Sequence, residues 1–300
     1  MILKSLDTFL ELALQKGRKV LAVAAAEDQL VLEAVAEAKK QNICWPILVG
    51  NEEKIRRIAA EIDFDLSEIE VIDEQSPDAA CKTAVRLVSE GKAQVLMKGL
   101  VSTASCLRAV LDKTVGLRTG SLLNHIGFFE SRVYPKLIAV TDAAQNISPT
   151  LDMKVSIIKN TIDLYHRLGV ERPKIALIAA IEDVNSKMPA TVDAAALTMM
   201  NFRNQITGCA IDGPLGLDNA ISKEAAEHKG VKSEVAGDAD LLFLPNIEVA
   251  NALYKSITYF GEAVVAAVIL GAQVPIVLTS RSDSERSKLM SIALAVAASE

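Results

Sequence analysis

Pro275-Ile276-Val277-Leu278-Thr279-Ser280-Arg281-Ser282-Asp283 is a short apolar run that ends abruptly in hydroxyls, a guanidinium and a carboxylate. A segment of helical character follows over residues 284–298. This is the order expected of a buried strand that delivers polar groups to the open edge of an α/β sheet, where ligands bind. A hydroxyl beside an Arg suits an anionic oxygen, such as a phosphate or a developing oxyanion. The same residues also read as a strand followed by an ordinary N-cap, Ser or Asp, with a solvated Arg. Local sequence leaves both readings open, and the rest of the chain has to weigh between them.

Working outward, short apolar runs alternate with longer amphipathic segments. Residues 19–25, 45–49, 69–72 and 95–97 have strand character. Residues 29–40, 77–90 and 102–111 have helical spacing, the second with Pro77 just inside its start. The succession predicts a parallel sheet with helices on both faces. Residues 122–130 and 136–141 lie close enough for a hairpin, so one antiparallel pair is expected there. The pattern then resumes, with helices over 153–168, 190–202 and 248–259 and strands over 175–180, 206–211 and 241–244. The longest apolar stretch, residues 263–278, contains Gly271, Gln273 and Pro275 and reads as a helix, a turn and a strand.

About ten strands exceed a usual single sheet. The expectation is therefore two doubly wound α/β domains with a cleft between them. Residues 1–120 with 270–300 form the first, and residues 121–269 are a second domain inserted in it. The break falls near Val115-Gly116-Leu117-Arg118-Thr119-Gly120.

Composition agrees with that class. Half of the 300 residues are apolar but only 4% are aromatic, which fits helices packed on a buried sheet better than a β-sandwich. A net charge of −6 argues against a nucleic-acid partner, yet leaves room for an anionic ligand in a locally basic cleft. The N-terminus lacks a signal-peptide pattern and no uncharged run reaches membrane-span length. Cys44, Cys81, Cys106 and Cys209 are scattered without paired spacing, and His125, His166 and His228 carry no ligand pattern. Reduced core thiols, no metal and a cytoplasmic protein are expected.

Polar groups gather at the ends of the expected strands. Lys98-Gly99-Leu100-Val101-Ser102-Thr103 follows the strand at Val95, and Ser102 or Thr103 could cap a helix whose free amides welcome an anion. Arg108 lies one or two turns further on. Thr141-Asp142-Ala143-Ala144-Gln145-Asn146, Asp212-Gly213-Pro214 and Pro245-Asn246-Ile247-Glu248 follow other strands. Asp and Asn at such places are also plain turn formers, and Gly213-Pro214 is expected to force a turn, with Asp212 just outside the sheet. In a doubly wound domain these ends share one edge. Together they predict a polar cleft for a phosphorylated or carboxylated small molecule. No G-x-G-x-x-G after a strand, no G-x-x-x-x-G-K-[ST] and no G-x-S-x-G is present.

With those residues in view, the chain resembles the phosphate acetyl/butyryltransferase family from about residue 90 onward. The resemblance rests on Lys98-Gly99-Leu100-Val101-Ser102-Thr103, on Lys187-Met188-Pro189-Ala190-Thr191-Val192-Asp193-Ala194-Ala195, and on Asp212-Gly213-Pro214-Leu215-Gly216-Leu217-Asp218-Asn219-Ala220. It rests also on Val235-Ala236-Gly237-Asp238-Ala239-Asp240 through Tyr254-Lys255, and on Thr279-Ser280-Arg281. It implies transfer of a short acyl group between coenzyme A and inorganic phosphate. Acyl-CoA, phosphate and acyl phosphate are then the partners, and coenzyme A is a substrate rather than a permanently bound cofactor. It further implies an isocitrate/isopropylmalate dehydrogenase-like fold, an active site in the interdomain cleft and a homodimer or higher homo-oligomer.

The resemblance also implies roles for particular residues. Ser280 resembles the family hydroxyl that steadies the carbonyl oxygen or the thiol, and Arg281 its phosphate-binding Arg. Arg108 matches a second family Arg. Asp142, with Asn146 in the same loop, matches an Asp at the head of a polar loop. Lys98, Ser102, Thr103 and Asp212 join them as substrate-binding candidates. Family acetyltransferases often carry a Cys after that Asp, where this chain has Ala143, and an Asp seven residues beyond the motif Ser, where it has Ser287. Asp283 is the expected general base, because it is nearest the strand end and Glu285 falls in a first helical turn, where an acid is expected anyway. Two other functions fit the fold class: an NAD-dependent hydroxy-acid dehydrogenase, and a non-catalytic sensor of acyl-CoA or acyl phosphate.

Overall fold

The computed structural model describes residues 1–280 and 283–300. The chain divides into two compact units: a flanking unit of residues 7–121 with 264–300, and an inserted unit of residues 122–263 with residues 1–6.

The flanking unit opens with α1 (Asp7–Lys16), β1 (Lys19–Ala24), α2 (Gln29–Lys40), β2 (Cys44–Gly50), α3 (Glu52–Glu61) and β3 (Glu70–Asp73). It continues with α4 (Pro77–Ser89), β4 (Val95–Lys98) and α5 (Thr103–Val110). Asp28 accepts the Val31 amide at 3.0 Å and Asn51 the Lys54 amide at 2.9 Å, so α2 and α3 each start on a short polar cap. Pro77 stands at the first position of α4, where its missing N–H costs nothing.

The inserted unit carries β5 (Asn124–Phe129), β6 (Ile138–Thr141), α6 (Leu151–Arg167), β7 (Lys174–Ile178) and α7 (Pro189–Phe202). After these come β8 (Ala210–Leu215), α8 (Leu217–Ile221), α9 (Lys223–His228), β9 (Leu241–Phe243) and α10 (Ile247–Tyr259). The chain then returns to the flanking unit with β10 (Val265–Leu270), β11 (Ile276–Val277) and α11 (Glu285–Ala298).

In the flanking unit the strand order is β3-β2-β1-β4-β11-β10. All neighbours are parallel except β10 and β11. The chain steps from β1 outward to β3 and then crosses to the other side of β1, so the winding reverses between β1 and β4. Right-handed crossovers then put helices on both faces. Accordingly α4 packs on β1, β2 and α5, whereas α11 packs on β10, α2 and α1. Nearly every residue of α11 is buried, which explains a helix with apolar residues all round. In the inserted unit the order is β5-β6-β9-β7-β8, with β5 antiparallel to β6 and the rest parallel. The N-terminal residues join it through the Leu137 amide, which donates to the Leu3 carbonyl at 2.8 Å.

Two expectations are corrected. Residues 265–270 form strand β10 and not a helix. Val265, Val268 and Ile269 are β-branched, all six residues are buried, and Gly271 turns the chain at φ +90° into β11. Strand β8 begins at Ala210 and runs through Asp212-Gly213-Pro214, which the sequence had read as a turn beyond a strand over 206–211. Because β8 closes the order of its sheet, Pro214 costs no ladder hydrogen bond on that outer side. Helices α1, α3, α8 and α9 were not anticipated.

Candidate active site

The reversal of winding places a crevice at the carboxyl ends of β1 and β4. Beyond β4 the chain crosses over the end of β1. The Gly99 amide donates to the Ala24 carbonyl and the Leu100 amide to the Ala25 carbonyl, both at 2.7 Å. A Cβ on Gly99 would overlap both carbonyl oxygens, so this crossing demands glycine. Strand β11 runs parallel to β4 with Val277 opposite Met97. The two strands therefore release the chain at the same sheet edge, β11 into Leu278-Thr279-Ser280 and β4 into Gly99-Leu100.

Lys98 is buried, and its ammonium donates to the Gly99 and Val101 carbonyls at 3.1 and 3.2 Å. Ser102 is the N-cap of α5 and accepts the Ser105 amide at 3.1 Å. Thr103 is the exposed first residue of that helix, and Arg108 is exposed with no hydrogen bond or ion pair to a described residue.

At the end of β11, the Ser280 amide donates to Asp283 Oδ2 at 2.7 Å and the Asp283 amide to the Ser280 carbonyl at 3.2 Å. Arg281 lies outside the described residues. Ser284 caps α11. Ser287, where the family acetyltransferases carry an Asp, is buried, and its Oγ accepts the Val265 amide at 3.3 Å. Glu285 is exposed and lines a surface cavity of about 550 Å³ with Glu33, Lys40 and Phe64.

One group here escaped the sequence reading. Lys288, only 2% exposed, donates to the Ser280 carbonyl at 3.2 Å and to the Asp283 carbonyl at 2.6 Å. Burial lowers its pKa below the ordinary lysine value, while the charges of Asp283 and Asp28 work the other way. The available signal was a lone Lys directly before the apolar run Leu289-Met290 in a helix that is apolar all round.

The remaining candidates lie in the inserted unit. Asp142 follows β6, and its carboxylate is saturated. It accepts the amides of His125, Ala144, Gln145 and Asn146, and the Asn146 side-chain amide as well. Asn146 also donates to the Leu123 carbonyl at 2.8 Å. Asp212 stands inside β8 and accepts the Gly213 amide at 2.8 Å. The structure thus brings Lys98, Ser102, Thr103, Ser280 and Asp283 to one sheet edge of the flanking unit. Asp142 and Asn146 head a loop of the inserted unit, and Asp212 is in its outermost strand.

The other resemblance segments are engaged in ion pairs within the inserted unit. Asp193 pairs with the buried Lys154 at 2.6 Å. Asn219, fully buried, donates to Glu182 at 2.7 Å. Lys229 holds both Glu182 and Asp218, at 2.8 and 2.9 Å. Asp238 and Asp240 surround Lys136 at 3.0 and 2.5 Å, and Asp238 also takes Lys174 at 2.5 Å. Among the described residues, no cluster of three His, Cys, Asp or Glu side chains forms a metal site, and no helix is long and apolar enough to cross a membrane. All four cysteines are free and buried.

A sheet edge with a hydroxyl, a helix N-terminus and nearby lysines is where a doubly wound α/β protein binds its ligand. A family model described as phosphate acetyl/butaryl transferase matches residues 6–83 and 77–296. The chain is 49% identical to a phosphate butyryltransferase of Clostridium beijerinckii, over 97% of both chains. It is 46% identical to a phosphate acetyltransferase of Thermotoga maritima, over 96% of this chain and 98% of the other. Among solved structures, a branched-chain phosphotransacylase from Enterococcus faecalis superposes with a TM-score of 0.81 at 34% identity, over 93% of this chain and 98% of that one. The chain belongs to the phosphate acetyl/butyryl transferase family and is an acyltransferase. These matches favour neither the dehydrogenase nor the non-catalytic sensor.

Proposed function

We propose that this acyltransferase moves a butyryl or similar short acyl group reversibly between coenzyme A and inorganic phosphate, in the cytoplasm and with no permanently bound cofactor. A carboxylate takes the proton of the coenzyme A thiol. The thiolate attacks the acyl-phosphate carbonyl, the C–S bond forms, the bond between the acyl carbon and the bridging oxygen breaks, and phosphate leaves with that oxygen. The base is needed because a free thiol with a pKa of about 8.5 is mostly protonated at neutral pH, and the thiolate is the nucleophile. Asp283 is that base in this reading. Ser280 steadies the carbonyl oxygen, and Arg281 and Arg108 offset charge on the departing phosphate. Lys98, Ser102, Thr103, Asp142, Asn146 and Asp212 form the binding surface, the saturated carboxylate of Asp142 acting by shaping its loop.

The single observation that supports this assignment is the parallel register of β11 on β4, by which both strands end at the same sheet edge. The reading also includes the isocitrate/isopropylmalate dehydrogenase-like arrangement of a flanking and an inserted domain, and a homodimer or higher homo-oligomer. Val192, Met199 and Phe202, exposed along α7, support the last of these. A monomer by light scattering would overturn it.

Purified protein should release free thiol from butyryl-CoA only when phosphate is present. Release without phosphate would replace transfer with hydrolysis. Ser280→Ala and Arg281→Ala should each lower kcat by about 100-fold or more. Full activity in both would remove the assigned site. Rates with acetyl-, propionyl-, butyryl- and isobutyryl-CoA should peak at the four-carbon chains, with modest discrimination per methylene.

A further inference from the structure

We propose that Lys288 is a positioning residue for the acyl transfer: its buried ammonium clamps the main-chain carbonyls of Ser280 and Asp283. The inference rests on the reading that Ser280 takes part in the reaction.

The argument begins with where a lysine should not be. Lys288 is the fourth residue of α11 after the Ser284 cap, so it stands at the positive end of the helix dipole, where a cation is disfavoured. It is also withdrawn from water, which costs an ammonium far more than a methionine or leucine of similar length. Its neighbours Leu289 and Met290 are buried apolar residues, and an apolar side chain at 288 would continue that packing. Something specific has to offset both penalties.

The compensation is visible in its partners. Lys288 Nζ reaches the Ser280 carbonyl at 3.2 Å and the Asp283 carbonyl at 2.6 Å. The Ser280 peptide is thereby held from two sides. Asp283 Oδ2 takes its amide, and the Asp283 amide and Lys288 share its carbonyl. A serine fixed in this way keeps its Cβ direction within a narrow range, and with it the few staggered positions open to its hydroxyl. Pre-orientation of that kind sets a rate without adding any contact to the substrate, and a displacement of about 1 Å at a reacting group costs up to ~100-fold. Lys288 touches neither substrate nor reacting atoms in this account.

The test compares Lys288→Met and Lys288→Gln in the intact enzyme, with phosphorolysis of butyryl-CoA followed by thiol release. The Met variant should lose about 10-fold or more in kcat, with KM for butyryl-CoA and for phosphate within about twofold of wild type. Its thermal midpoint should be unchanged or higher, since a costly buried charge is gone. The Gln variant keeps a donor and should fall between Met and wild type in kcat. A folded Met variant with wild-type kcat overturns the inference. So does a loss of kcat that tracks a loss of thermal midpoint equally in both variants, which marks a purely structural lysine. If Lys288→Met does not fold, a folded Lys288→Gln with wild-type kcat overturns it equally. Ser280→Ala runs in parallel. If that variant stays fully active, the Ser280 reading falls and the inference with it. If it is inactive while Lys288→Met is not, only the inference falls.

Discussion

At the scale of single residues, carboxylates that look alike in sequence do different work. Asp142 is committed to five N–H donors around its loop. Asp142→Ala would strand four buried or half-buried main-chain amides, and the expected cost is at least about 3 kcal/mol, read as a lower urea midpoint. Asp283 holds one amide and lies beside the serine. Sequence placed Asp142 directly after its strand, because strand ends are local features. It could not tell a saturated carboxylate from a less engaged one, because the donors to Asp142 include His125 from a different strand. Lys288 stayed hidden for the same reason: its partners precede its helix, and in the sequence it is one charge in an apolar run. The thiols sit in the core. Desolvation pushes Cys44 and Cys209 up to about 12. The hydrogen bond between Cys81 and Cys106, with burial, raises Cys106 well above its ordinary value, and the same bond lowers Cys81. A disulfide reagent should therefore count close to no thiols in the native enzyme and four in denaturant. Rapid native labelling would contradict the packing of these side chains.

Elements were legible where their signals were complete. Helix α2 has a capping Asp28, amphipathic spacing and two lysines at its end, and its expected and observed limits coincide. Strand β10 was misread because six apolar residues without alternation suit a buried strand and a buried helix equally. The sheet partner decides between them: Ile269 pairs with Ile276 of β11. Strand β8 was misplaced because Gly-Pro normally punctuates, and only an outer position lets it stay in a strand. The loop after α5 makes a pH prediction. Asp112 accepts the Thr114 hydroxyl and the amides of Thr114 and Val115, which together bring its carboxyl down to about 2 from 3.8. A depressed folded value means that the contribution to stability is complete above pH 3.8 and is lost as the pH falls toward 2. The gap in urea midpoint between wild type and Asp112→Asn should be largest at neutral pH and close below that window. A gap independent of pH would sink the assignment.

At the scale of the whole molecule, the chain leaves the flanking unit after Ser121 and re-enters it at Val264. Residues 7–121 alone lack β10, β11 and α11, so β4 has no neighbour on one side and α2 loses the helix it packs on. Expressed by itself, residues 7–121 should aggregate or remain loosely structured. The same segment joined by a short flexible linker to residues 264–300 should give a cooperative melt by circular dichroism. A cooperative melt from residues 7–121 alone would show that the returning strands are dispensable. The return of the chain has a further consequence during synthesis. Ribosomes deliver a chain from its N-terminus, so residues 122–263 emerge while the β1–β4 sheet still exposes an unpaired strand. The inserted unit can complete its folding first, and the nascent chain carries an open β4 edge for as long as translation takes to cross that unit. Chaperone occupancy on stalled nascent chains should therefore be highest between codons 121 and 264, and the surroundings of Ser280 are among the last parts of the enzyme to form.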